Sequence, residues 1–151
     1  MNLSSKPDII SFPAIHYVCV EKTGPFHETA MKAWAELHAL MPKLAEQTKI
    51  KGYMSFYKMA PMTYCAGVSV ETVPHKLPAG LKHMKFDGGR YSRFTHTGPY
   101  TDLPAASGKV FEAIVKDQIA LRDNFFIENY VSDPKTTPQD KAVTEILVPT
   151  V

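Results

Sequence analysis

The sequence is poor in residues that staple a chain or hold a metal. Only two cysteines occur in 151 residues, Cys19 and Cys65, and they lack C-x-x-C spacing. Both lie in apolar, strand-like stretches, which predicts two buried, reduced thiols and a cytoplasmic, intracellular protein rather than a disulfide scaffold. An excess of one charge is missing too: 17 basic and 15 acidic residues leave a formal charge of +2. Nucleic-acid binders concentrate a strong basic excess on one face, so direct nucleic-acid binding is not expected. No apolar run approaches the roughly 18 residues a spanning helix needs, which argues against membrane association. Residues 1–8 carry neither the basic nor the apolar region of a secretory signal. The G-x-S-x-G, Walker and G-x-G-x-x-G patterns are absent. The six histidines, at 16, 27, 38, 75, 83 and 96, show no H-x-H, H-x-x-x-H or H-E-x-x-H spacing. Neither a metal nor a cofactor is expected.

What is present is ordinary globular material, 44% hydrophobic and 21% charged, which excludes the disordered classes. A chain of this length buries about 68–70% of its unfolded surface and needs no covalent staple. Residues 14–21 (AIHYVCVE) are rich in β-formers and predict a strand. After Thr23-Gly24-Pro25-Phe26, the residues Met31, Trp34, Leu37, Leu40, Met41 and Leu44 recur at three and four positions, the stripe of an amphipathic helix over 28–46. Pro42 should end or kink it. Residues 51–59 and 62–71 predict strands joined at Ala60-Pro61. Residues 73–79, with two prolines, predict a connector, and Gly88-Gly89 a turn. A strand over 89–96, Thr97-Gly98-Pro99-Tyr100, a helix over 103–121 and strands at 124–131 and 142–148 complete the chain. Strand, helix, strand, strand is written twice.

The repetition has a register. The two Thr-Gly-Pro-aromatic turns are 97 − 23 = 74 residues apart, and at that offset Tyr17 meets Tyr91 while Leu37 and Leu40 meet Phe111 and Ile114. One residue off it, Tyr57 meets Tyr130 and Pro61 meets Pro134. The pattern predicts an α+β fold of two duplicated units with pseudo-two-fold symmetry and a mostly antiparallel sheet, helices on one face and a ligand groove at the seam on the other. An N-terminal segment, 1–14, would precede a domain at 15–151 with repeats at about 15–73 and 89–149.

The unusual local feature is Phe125-Phe126-Ile127-Glu128-Asn129-Tyr130. Strand alternation puts Phe126, Glu128 and Tyr130 on one face, so a carboxylate stands between two aromatic rings. Such a carboxylate must be paired, protonated or awaiting a cation; an edge-strand glutamate in water is the alternative. Glu145, beside Val143 and Leu147, poses the same question more weakly. In the first repeat the matching residues are Tyr53, Ser55 and Tyr57, which would either line a groove or fill the core beneath a helix. Aromatic walls with one negative charge suit a flat, lipophilic cation. His96 is expected to be a hydrogen-bonding residue at a strand end rather than a base.

The segments GRYSRFTHTGPYTDLP, FIENYVSDPKTTP and AVTEILVP resemble the gyrase-inhibitor-like (GyrI-like) small-molecule-binding family over about residues 15–148. That fold also forms the effector-binding domain of certain AraC-type and MerR-type multidrug-sensing regulators. The resemblance implies a bacterial small-molecule-binding protein in which Glu128 contacts cationic, lipophilic ligands, with Tyr130, Phe126, Tyr53, Tyr57 and Glu145 as further ligand-binding candidates. Some stand-alone members resemble enzymes that hydrolyse cyclopropane-containing electrophiles with the groove carboxylate and an aromatic hydroxyl, which as an alternative would make Glu128 a catalytic general base with Tyr53 or Tyr57 steadying the leaving group. A protein-interaction module, such as a gyrase-binding or toxin-antagonising factor, is the third possibility. About fourteen residues precede the first predicted strand, too few for a helix-turn-helix unit, so a complete transcription factor of that type is not expected.

Overall fold

A computed structural model describes residues 2–151. The chain forms two compact units, Pro13–Gly88 and Met1–Phe12 with Gly89–Val151. The unit at 13–88 contains β3 (Ile15–Thr23), α1 (Phe26–Ala45), β4 (Ile50–Met59), β5 (Met62–Val70) and β6 (Lys82–Phe86). Its strands run in the order β4-β5-β3-β6. The other unit contains β1 (Asn2–Leu3), β2 (Asp8–Phe12), β7 (Gly89–Thr97), α2 (Leu103–Lys116), β8 (Phe126–Tyr130) and β9 (Val143–Pro149). There β8-β9-β7 continues to β2 and β1, both paired with β7. Every one of these pairings is antiparallel, as the α+β reading expects.

The strand registers extend the internal repeat. β2 and β6 are themselves 74 residues apart, and their buried phenylalanines, Phe12 and Phe86, coincide at that offset. Phe12 pairs with Gly89 and Ile15 with Phe86, so β2 of the first repeat completes the sheet of the second, and β6 of the second completes that of the first. The leading strands have exchanged places. Residues 2–3 and 8–12, within the expected N-terminal segment, are thus strands of that sheet. Neither β2 (DIISF) nor β6 (KHMKF) was expected from its pattern, because each is an edge strand with a single buried side chain, the others being part-exposed or exposed.

The cores repeat as well. Tyr17 and Tyr91 are fully buried, and each hydroxyl donates to a backbone carbonyl: Tyr17 to Met54 at 2.7 Å, Tyr91 to Phe125 at 2.7 Å. Burial pushes the Tyr91 phenol up to about 12. Tyr17 stacks on Phe56 at 4.0 Å between centroids. In both Thr-Gly-Pro turns the glycine takes a positive φ, +121° at Gly24 and +146° at Gly98. Its N–H then reaches the strand that closes the unit, Gly24 to the Met62 carbonyl at 3.0 Å and Gly98 to that of Ala142 at 2.8 Å.

Two helix ends differ from expectation. Pro42 lies inside α1, which runs on to Ala45. The missing N–H removes one bond, while fully buried Leu44 holds the last turn down. Helix α2 stops at Lys116, not 121, because Gln118 adopts φ +53° and Ile119 bonds back to the Ile114 carbonyl at 3.0 Å, a left-handed C-terminal cap.

Candidate functional site

Register fixes which side chains share a face. Across β7, β9 and β8, Phe94, Ile146 and Glu128 form one row, and His96, Thr144 and Tyr130 the next. Helix α2 packs on this face: Ser107 reaches Glu128, and Phe111 meets Phe126 at 5.5 Å between ring centroids. Glu128 thus lies on the helix-covered face, and the expectation of a site on the opposite face is corrected for this residue. A sequence shows that residues alternate, not which set a helix will cover.

The Glu128 carboxylate is held from two sides. The Tyr130 hydroxyl donates to Oε1 at 3.0 Å and the Ser107 hydroxyl to Oε2 at 3.2 Å. Tyr130 is in turn packed edge-on by Tyr100, with centroids 5.7 Å apart and planes at 76°. Among the described residues Glu128 forms no ion pair. Burial raises its carboxyl above the ordinary glutamate value, and the hydroxyls of Tyr130 and Ser107 oppose that rise. A carboxylate steadied by neutral donors keeps its charge available, either for a cation or as a base. Burial and nearby Asp133 raise the Tyr100 phenol as well. Ser107 and Tyr100 were not among the expected site residues. Their signal was present but faint: Tyr100 ends the second Thr-Gly-Pro turn, and Ser107 is the small polar residue on the α2 stripe.

The other expected residues separate. Glu145 projects from the opposite face of β9, where Arg93 donates to it at 3.4 Å and Asn129 at 2.9 Å; Arg93 also pairs with Asp8 at 3.3 Å. It is a structural ion-pair residue, not a neighbour of Glu128. Tyr53 and Tyr57 belong to the other unit. Tyr57 is buried against Phe26, centroids 5.5 Å apart at 70°, the same edge-on contact that Tyr100 makes with Tyr130. Between them Ser55 is fully buried and hydrogen-bonded to the Tyr64 hydroxyl at 2.6 Å, which also accepts from the Trp34 indole at 2.8 Å. Ser55 and Tyr57 are therefore core beneath α1, while Tyr53 is 37% exposed.

His96 departs from its expected role. It is fully buried, and neither ring nitrogen has a hydrogen-bond partner among the described residues; the Thr144 hydroxyl beside it is orphaned too. Burial lowers the imidazole pKa, so His96 stays neutral at pH 7. The two cysteines are both buried and free.

Two duplicated α+β units, one carrying a largely buried carboxylate among aromatic rings, make up the fold. Residues 5–151 match the description "GyrI-like small molecule binding domain", and the chain belongs to that family. Its fold is similar to the C-terminal domain of EcmrR, with a TM-score of 0.81 at 14% identity over 100% of this chain and 99% of that one. It is similar also to SAV2435 bound to tetraphenylphosphonium, TM-score 0.74 at 15% identity, covering 100% and 94%. A hydrolase from Listeria innocua shares the fold with a TM-score of 0.61 at 15% identity, covering 97% and 92%. No curated protein matches the chain by sequence. The family membership makes the chain a small-molecule-binding domain. No helix among the described residues is long and apolar enough to cross a membrane.

Proposed function

We propose that the chain senses or sequesters lipophilic aromatic cations, with Glu128 as the counter-ion. One observation carries this reading: the Glu128 carboxylate is largely desolvated, steadied by the Tyr130 and Ser107 hydroxyls at 3.0 and 3.2 Å, and forms no ion pair among the described residues. Leaving a desolvated charge uncompensated is costly, and an incoming cation recovers that cost. Aromatic edges and faces at Tyr130 and Tyr100 add stacking and cation–π attraction. A similarly folded protein has been captured with tetraphenylphosphonium, which makes that ion a suitable probe.

Calorimetric titration with tetraphenylphosphonium and with neutral triphenylphosphine oxide tests the reading. Wild type should prefer the cation, and Glu128→Gln should remove the preference while leaving the neutral compound's affinity within about twofold. Equal losses for both ligands would show that Glu128 shapes the site without supplying charge.

The Tyr130–Glu128 contact supports a second reading, hydrolysis of a strained electrophile, with Glu128 as general base on water and the Tyr130 hydroxyl assisting the leaving group. A hydrated product in mass spectra, lost in Glu128→Gln, would favour it; ligand recovered intact would reject it.

A further inference from the structure

We propose that Ser107 is a specificity-determining residue. It stands where the other repeat carries Trp34, and the room it leaves over Glu128 receives one flat aromatic ring system, about the size of an indole, from a cationic ligand. The inference rests on the ligand reading above and adds the shape of the ligand and the position of its ring.

The protein supplies its own comparison. Strand registers equate Ser55 with Glu128 and Tyr57 with Tyr130 at an offset of 73, and Tyr64 with Thr144 at 80. The difference, seven residues, is absorbed in the longer β8–β9 connection. In the helices the fully buried pairs Ala33 and Ala106, and Leu37 and Val110, also repeat at 73, which corrects the expected offset of 74: Leu37 matches Val110, not the part-exposed Phe111. Trp34 therefore corresponds to Ser107. In the first repeat the indole folds over the sheet to donate to Tyr64, which bonds Ser55, and that face is closed: Ser55, Tyr57 and Tyr64 are all buried. In the second repeat tryptophan has become serine, tyrosine threonine, and serine glutamate. Glu128 and Tyr130 are correspondingly each part-exposed, as is Ser107. One repeat fills its site with its own aromatic side chain. The other keeps the same frame, installs a carboxylate and puts a serine where the aromatic stood. A bicyclic cation there would take the place of the indole with its charge against Glu128.

The test uses N-methylquinolinium, a flat bicyclic cation, titrated into the full chain by calorimetry. Wild type should bind one equivalent. Ser107→Ala, which loses the hydroxyl that bonds Glu128 but keeps the room, should bind more weakly than wild type. Ser107→Trp, which loses the same hydroxyl and fills the room, should bind at least tenfold more weakly again, with an unchanged circular dichroism spectrum. Ser107→Leu carries the same expectation should the tryptophan variant fail to fold. A folded Ser107→Trp or Ser107→Leu that binds like wild type, with Glu128→Gln still weakening binding, would overturn the inference and leave the ligand reading standing. An alanine variant as impaired as the tryptophan variant would also overturn it, since the hydroxyl rather than the space would then matter. Absence of N-methylquinolinium binding, with tetraphenylphosphonium still preferred through Glu128, would reject a planar bicyclic site. Indifference of both cations to Glu128→Gln would defeat the ligand reading itself.

Discussion

Cation binding should depend on pH in a direction fixed by Glu128. Burial raises its carboxyl above the ordinary value of 4.5, so the folded protein without ligand retains a proton there at pH values where an exposed glutamate has lost it. A cation binds the ionised form and must displace that proton. Below the raised value the affinity should therefore fall about tenfold per pH unit, and above it level off. The size of the electrostatic contribution follows from the geometry. Tyr130 and Ser107 each occupy one carboxylate oxygen, at 3.0 and 3.2 Å, so a bulky cation approaches to about 5 Å. At an effective dielectric constant of about 20 that is worth about 3 kcal/mol. Part-exposure of the carboxylate reduces it to about 1.5 kcal/mol, or roughly tenfold in affinity. Titration of tetraphenylphosphonium between pH 4 and 8, in buffers of different ionisation enthalpy, should show proton release near the raised value and none well above it. The free protein responds in the opposite sense. A carboxyl whose folded value lies above its unfolded one adds stability at low pH that is lost as the pH rises through the folded value. Glu128→Gln should accordingly raise the apo Tm at pH 7. Cation affinity flat across this pH range, with no proton release, would refute the argument.

Two further outcomes test the frame rather than the site. A Cβ at Gly67 would lie 2.6 Å from the Val18 carbonyl oxygen and 2.5 Å from the Tyr17 ring, which is itself stacked on Phe56, so Gly67→Ala should cost about 1–3 kcal/mol, read as a lower denaturant midpoint; an unchanged midpoint would contradict the close approach of β3 and β5. The Thr144 hydroxyl is buried without a partner, so Thr144→Val should be neutral or stabilising by up to about 1 kcal/mol, and a marked loss of Tm would show that the hydroxyl has a partner such as an ordered water.

Much of the fold was legible because its signals are local or repeated. The Thr-Gly-Pro turns demand the positive φ that Gly24 and Gly98 adopt, and the offset of 74 aligns Tyr17 with Tyr91 before any strand is paired. The edge strands were not legible as strands, since an edge needs one apolar side chain and tolerates charge elsewhere; only the coincidence of Phe12 and Phe86 at the same offset marks them. Within the candidate site, alternation grouped Phe126, Glu128 and Tyr130 correctly. It could not separate them from Glu145, because a period of two leaves open which set the helix covers. That choice is made by Leu103, Ala106, Val110 and Ile114, whose burial draws α2 onto the Glu128 face and leaves Glu145 to Arg93.

The duplicated frame also explains how a desolvated carboxylate can be kept. The buried tyrosines Tyr17 and Tyr91, the glycine turns and the helix stripes recur in both repeats, so neither unit depends on Glu128 for its packing. In the first repeat the equivalent site is filled by side chains, with Trp34, Tyr64 and Ser55 hydrogen-bonded in a row. The second has exchanged that closed network for a charge whose only bonded partners, among the described residues, are two neutral hydroxyls, and it carries orphaned polar atoms at His96 and Thr144 in the adjacent row. Departures from local satisfaction of this kind are expected at functional sites and are expensive elsewhere. Among the described residues, the buried side-chain atoms without a partner, at Arg93, His96, Arg122, Thr144 and Thr150, all fall in the second of two otherwise matched frames, and this asymmetry is the physical reason the proposal puts the ligand beside Glu128 and not at Ser55.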